Sequence, residues 1–185
     1  MAFTESTMLP LGTIAPDFDL LDTVSGKNIS LSALRSDKAT VIVFSCNHCP
    51  YVLHINQGLV ALANEYTAKG VQFVAISSND ASRYPQDAPD LMRTLALTEK
   101  YSFPYLYDPS QVVARAYDAA CTPDFYVFDG GLRLVYRGQM DDSRPNNGKL
   151  VTGQDLRNAL DATLSGAPCA DLQRPSGGCG IKWLP

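Results

Sequence analysis

The sequence predicts an α/β fold, a mixed β-sheet covered by helices on both faces. Three observations predict it. Apolar runs of strand length alternate with stretches of helical period. Two β-branched and aromatic runs are joined by Gly130-Gly131. The close pair Cys46 and Cys49 falls where a buried strand hands over to a long helix.

In chain order, residues 17–31 (DFDLLDTVSGKNISL) predict a hairpin turning at Ser25-Gly26. Residues 40–45 are β-branched and uncharged, which fits a strand buried on both faces. Val52, Ile55, Leu59, Leu62, Ala63 and Tyr66 recur at three- and four-residue spacing and predict an amphipathic helix, which Gly70 is placed to end. Residues 71–77 (VQFVAIS) predict a second buried strand, and 78–90 a polar, proline-bearing loop. Helices are expected over 91–101 and 111–117, then strands over 124–129 and 132–138. Thr152 with Asp155 resembles a capping box opening a last helix to about Leu164. The expectation is one domain over residues 1–185, with a core of about 11–165 and an irregular tail over 166–185.

Bulk properties narrow the function. A formal net charge of −4 argues against nucleic acid or an anionic membrane as a main partner. No apolar run approaches the roughly 20 residues of a spanning helix. The opening residues have no basic segment followed by a long apolar one, so a cytoplasmic location is expected. Five cysteines in a reducing compartment do not make a disulfide framework, so the close pair asks for a chemical role.

A helix N-terminus supplies that role. Unpaired N–H groups and the positive end of the dipole stabilise a thiolate. Such sites move a cysteine pKa from about 8.5 into the range of about 3.5–7.5. The competing readings are two buried small hydrophobic residues, or half of a zinc or copper site completed by His48 or His54.

The order strand, Cys-x-x-Cys, helix, then Thr122-Pro123 before a strand hairpin and a final helix, resembles the thioredoxin fold. The opening residues 11–44, with APDF, the Ser-Gly hairpin and LSAL, resemble the redoxin branch of alkyl hydroperoxide reductase/thiol-specific antioxidant type. CNHCPYV, PYLYDPSQ, CTPDFYVFD, VYRGQMDDSRPNN and the segment Gly178-Cys179-Gly180-Ile181-Lys182-Trp183 further resemble a peroxiredoxin-like subgroup. The resemblance implies a cis Thr122-Pro123 bond facing the dithiol, with the backbone of residue 122 free to pair with an extended peptide. His48 precedes the second cysteine, as in strongly oxidising CxHC members of the superfamily. An imidazolium there would stabilise the thiolate and weaken the disulfide.

Two activities follow. In thiol–disulfide exchange, Cys46 faces outward and attacks while Cys49 resolves. In a thiol peroxidase, Cys49 attacks and Cys46 or Cys179 resolves. Relatives of that kind place Thr or Ser where Cys46 stands, and an arginine where Pro123 stands, so Arg137 would have to supply the charge. These departures favour disulfide exchange. A metal carrier or a non-catalytic module on the same fold is the third reading.

Cys121 is either filler or a neighbour of the dithiol. Cys169 and Cys179 are packed or exposed thiols, or else Cys179 is a resolving cysteine on a movable arm. Arg137, Asp141, Asp142 and Arg144 read as a solvated, salt-bridged loop. The expected substrate is a protein disulfide or dithiol, or a peroxide. The expected electron donor is a thiol reductant such as a thioredoxin or glutathione system. No cofactor and no resident metal is assigned.

Overall fold

A computed structural model describes residues 3–185. In chain order the elements are β1 (Phe3–Glu5), β2 (Asp19–Asp22), β3 (Asn28–Ser30), α1 (Leu31–Leu34), β4 (Ala39–Phe44), α2 (Pro50–Thr67) and β5 (Val71–Ser77). A single 3-10 turn (Pro85–Asp87) precedes α3 (Pro89–Thr98), β6 (Tyr105–Tyr107), α4 (Val112–Ala116) and β7 (Cys121–Thr122). The chain ends with β8 (Asp124–Asp129), β9 (Leu134–Gly138), α5 (Gln154–Ser165) and β10 (Gly177–Gly180). No helix among the described residues is long and apolar enough to cross a membrane.

Seven strands form a mixed sheet in the order β3-β2-β6-β5-β4-β8-β9. β4 is central, parallel to β5 and antiparallel to β8. All six of its residues are buried, as an uncharged β-branched run requires. Alternate side chains enter opposite cores. Val41 and Val43 join a cluster with α2, α3 and α5, whereas Ile42 and Phe44 join one with α1 and α4. Burying each such side chain contributes about 1.5–3 kcal/mol, which fixes the strand end that carries the cysteines.

Three local expectations differ. The capping box does not form: Gly153 is the N-cap of α5, with φ +67° and no side-chain cap. Asp141 instead ties down the two residues before the helix, its Oδ2 accepting from the N–H groups of Thr152 at 2.7 Å and Gly153 at 2.6 Å. The loop after β9 is only partly solvated. Arg137, Gln139 and Asp141 are buried, and Asp142 is exposed.

The tail departs most. After irregular residues it forms β10, the middle strand of a second sheet, β1-β10-β7. It is held at its start by Ser176, whose Oγ donates to Gly138 O at 2.6 Å and whose carbonyl accepts from Ser6 N at 2.9 Å. A β-carbon on Gly178 would stand 2.0 Å from Thr122 O. Gly178→Ala should therefore destabilise the protein by about 1–3 kcal/mol, the usual cost of overpacking. Thermal melts check this; a melting temperature equal to wild type would mean that β10 is not seated so closely.

Candidate active site

β4 ends at Phe44, and Ser45 N still donates to Ile76 O at 2.8 Å, continuing the β5 pairing. The chain then turns through Cys46, Asn47 and His48. α2 begins at Pro50 with Cys49 as its N-cap. Proline is tolerated at that first position because its missing N–H would have been unpaired. Cys49, not Cys46, therefore stands at the positive end of an 18-residue helix.

The Thr122–Pro123 bond is cis. It closes the site from the opposite side. Thr122 Oγ1 lies 3.3 Å from Cys46 Sγ, and Thr122 O lies 3.1 Å from Cys49 Sγ. Both sulfurs are buried, Cys46 at 1% and Cys49 at 0% exposure. The expectation that Cys46 faces outward is thus corrected: the helix starts later than its position required, and Asp87 and Thr122 cover its sulfur.

The two thiols differ in electrostatics. Cys49 is lowered to about 5, chiefly because the Cys46 thiol donates to it. The Cys179 thiol and the N–H groups of Val52 and Cys179 add to this, against the penalty of burial. Cys46 is raised well above the usual thiol range, because its proton is engaged with Cys49, because it is buried, and because the Asp87 carboxylate lies nearby. One thiolate, centred on Cys49, is the favoured ionisation state of the pair.

Asp87 is the residue that sequence reasoning missed. It sits at 0% exposure in what reads as a polar loop. Its Oδ1 accepts from Asn47 N at 2.7 Å, and its Oδ2 accepts from Asn79 Nδ2 at 2.8 Å. His48 Nδ1 lies 2.8 Å from the same Oδ2, and the imidazole stacks on Tyr84 with centroids 5.6 Å apart. His48 is thus paired with a carboxylate and a ring rather than aimed at Cys49 alone. Ligand-type atoms of Cys46, His48 and Asp87 lie within 4.8 Å of one another. Two ligands on one tetrahedral zinc stand roughly 3.3 Å apart, given bonds of about 2.0–2.2 Å. The 2.8 Å between His48 and Asp87 is shorter than that, and His48 Nδ1 has no hydrogen-bond partner among the described residues.

The other cysteines separate cleanly. Cys179 shares one buried cluster with Cys46, Cys49 and Val52. It lies in a paired strand, which corrects the movable arm. Cys121 is fully buried in β7, its thiol directed at Pro123 O at 3.6 Å, and burial raises its pKa. Cys169 packs elsewhere, against Thr163 and Ala159 of α5.

Arg137 does not supply a charge to Cys49. It is fully buried, and its Nη2 donates to Asp118 O at 2.6 Å and lies 3.2 Å from Asp124 Oδ2.

Residues 11–137 match the AhpC/TSA family. Among solved structures, an uncharacterized conserved protein from Geobacillus kaustophilus is 58% identical, with a TM-score of 0.98 over 100% of this chain and 98% of that one. The peroxidoxin BcpB from Mycobacterium tuberculosis is similar at 21% identity and TM-score 0.64, over 86% of this chain and 98% of that one. A secreted Mycobacterium tuberculosis disulfide oxidoreductase, described as homologous to Escherichia coli DsbE, is similar at 18% identity and TM-score 0.60, over 78% and 95%. These likenesses give the chain a thioredoxin-like fold. None of the curated proteins compared matches it.

Proposed function

The chain belongs to the AhpC/TSA family, and we propose that within it this protein is a thiol–disulfide oxidoreductase whose working pair is Cys46 and Cys49. The observation that carries this is the closure of Thr122 over both sulfurs, 3.3 Å from one and 3.1 Å from the other. A dithiol held so can alternate between two thiols and one disulfide. Cys49 is the nucleophile, since the helix N-terminus and its hydrogen-bond donors favour the thiolate there. Cys46 is the partner sulfur. Electrons come from a thiol reductant such as a thioredoxin or glutathione system.

Thiol peroxidase is the second reading. It is favoured by the lowered pKa of Cys49, the position a peroxidatic cysteine would take, and by burial that suits a small oxidant. Against it stands Arg137, engaged by Asp124.

Mild oxidation followed by mass spectrometry should give a Cys46–Cys49 link, and the reduced protein should turn over oxidised glutathione faster than hydrogen peroxide. Both thiols staying free while others oxidise would sink the dithiol. Fast sulfenic acid formation at Cys49 in Cys46→Ser, with peroxide turnover, would install the second reading.

A further inference from the structure

Thr122 has the sulfurs on one side and a strand on the other. β10 runs antiparallel to β7, with Cys179 opposite Thr122 and Gly180 opposite Cys121. β1 covers the outer edge of β10, with Phe3 opposite Cys179. The backbone edge at residue 122, expected to receive an extended peptide, is therefore filled by residues 177–180 of the same chain. Strand addition of this kind draws its affinity from main-chain hydrogen bonds.

The fit depends on glycine. β-Carbons at Gly177 and Gly178 would stand 2.4 Å from the Phe3 ring and 2.0 Å from Thr122 O. One side chain beyond hydrogen is left in the strand, that of Cys179, and it enters the buried cluster with Cys46 and Cys49. There it lies in the same buried cluster as the Cys49 sulfur, and its donors favour the Cys49 thiolate.

We infer that residues 177–180 are a built-in substrate strand and that Cys179 is a third redox thiol, exchanging with the Cys46–Cys49 disulfide. The inference rests on the dithiol reading above. In the exchange, Cys179 gives up its proton as its sulfur attacks Cys49 Sγ. The Cys49–Cys179 bond forms as the Cys46–Cys49 bond breaks, and the electron pair leaves on Cys46. Cys46 takes up the proton that Cys179 gave. No outside oxidant or reductant is needed, since one disulfide replaces another. The disulfide is then stored against Thr122 while Cys46 becomes a free thiol.

The test oxidises wild type, Cys46→Ser and Cys179→Ser with oxidised glutathione, quenches with iodoacetamide under denaturing conditions and maps the links by mass spectrometry. The expected result is a Cys49–Cys179 link in Cys46→Ser and only Cys46–Cys49 in Cys179→Ser. Wild type should also contain chains with one internal disulfide and an alkylated Cys46, a species that Cys179→Ser loses. This readout does not depend on the folding of Cys46→Ser. The inference is overturned if wild type forms Cys46–Cys49 but never that species, and Cys46→Ser carries glutathione on Cys49 with Cys179 free. Absence of any Cys46–Cys49 link in both wild type and Cys179→Ser is a different failure, that of the dithiol reading itself.

Discussion

Cys49→Ser should abolish disulfide turnover and remove the thiol that titrates near pH 5. The measurement is the pH profile of iodoacetamide labelling, not its rate at one pH. Lowering a thiol from 9.0 to about 5 gives roughly a hundredfold more thiolate at pH 7. Over those four units, a Brønsted slope of about 0.4–0.5 takes back roughly 60-fold in nucleophilicity. The two effects nearly cancel, so the midpoint carries the information. The reduction potential of the pair should change slope at the same pH. Two electrons travel with two protons below it, about 59 mV per pH unit, and with one proton above it, about 30 mV. A labelling midpoint unchanged in Cys49→Ser would put the thiolate elsewhere.

The same ionisation makes the reduced protein pH-sensitive. The folded Cys49 gives up its proton near pH 5, whereas the unfolded chain holds it to about 9. Between those values the unfolded state binds more protons, so stability from this group grows with pH. It is fully present above about 9 and lost as pH falls through about 5. The oxidised protein has no such contribution.

What was legible in the sequence was local. An uncharged β-branched run gives β4, three- and four-residue spacing gives α2, and both lie beside the cysteines they position. What was not legible depends on residues far along the chain. Asp87 reads as one more polar loop residue because its partners are Asn47, His48 and Asn79. Gly-Gly-Cys-Gly has no strand propensity, and it becomes β10 only because β1 and β7 flank it. Arg137 reads as part of a solvated loop, yet it lies in β9 paired with Tyr126, and a bulge between Val127 and Phe128 sets it on the same face as Leu134 and opposite Tyr136. Asp118, Asp124 and the Tyr126 ring cover that face.

Arg137→Met should be among the most destabilising single substitutions, and its rescue should show what the arginine is for. Burial already raises Asp124 to about 6 with Arg137 in place. Removing the guanidinium leaves a fully buried carboxylate with only the weak contacts from Ala120 N at 3.3 Å and Tyr126 Oη at 3.4 Å. Breaking a buried pair this way costs about 3–5 kcal/mol, against a total stability of about 5–15 kcal/mol. At about 2–4 °C per kcal/mol, the melting temperature should fall by roughly 6–20 °C. The sign of the pH effect is fixed as well. Without the guanidinium, which holds the Asp124 pKa down, that carboxyl rises further above its unfolded value of 3.8, so the variant takes up the proton at higher pH than wild type and the loss should shrink as pH falls toward about 6. Adding Asp124→Asn removes the unpaired charge and should restore most of the stability, because replacing both partners of a buried pair is often neutral. In that double variant the Cys46–Cys49 disulfide and the labelling midpoint near pH 5 should match wild type, since Arg137 contacts neither sulfur. A double variant that melts like wild type but loses turnover with its Cys49 titration shifted upward would mean that Arg137 serves the thiolate after all, as a peroxidase would require.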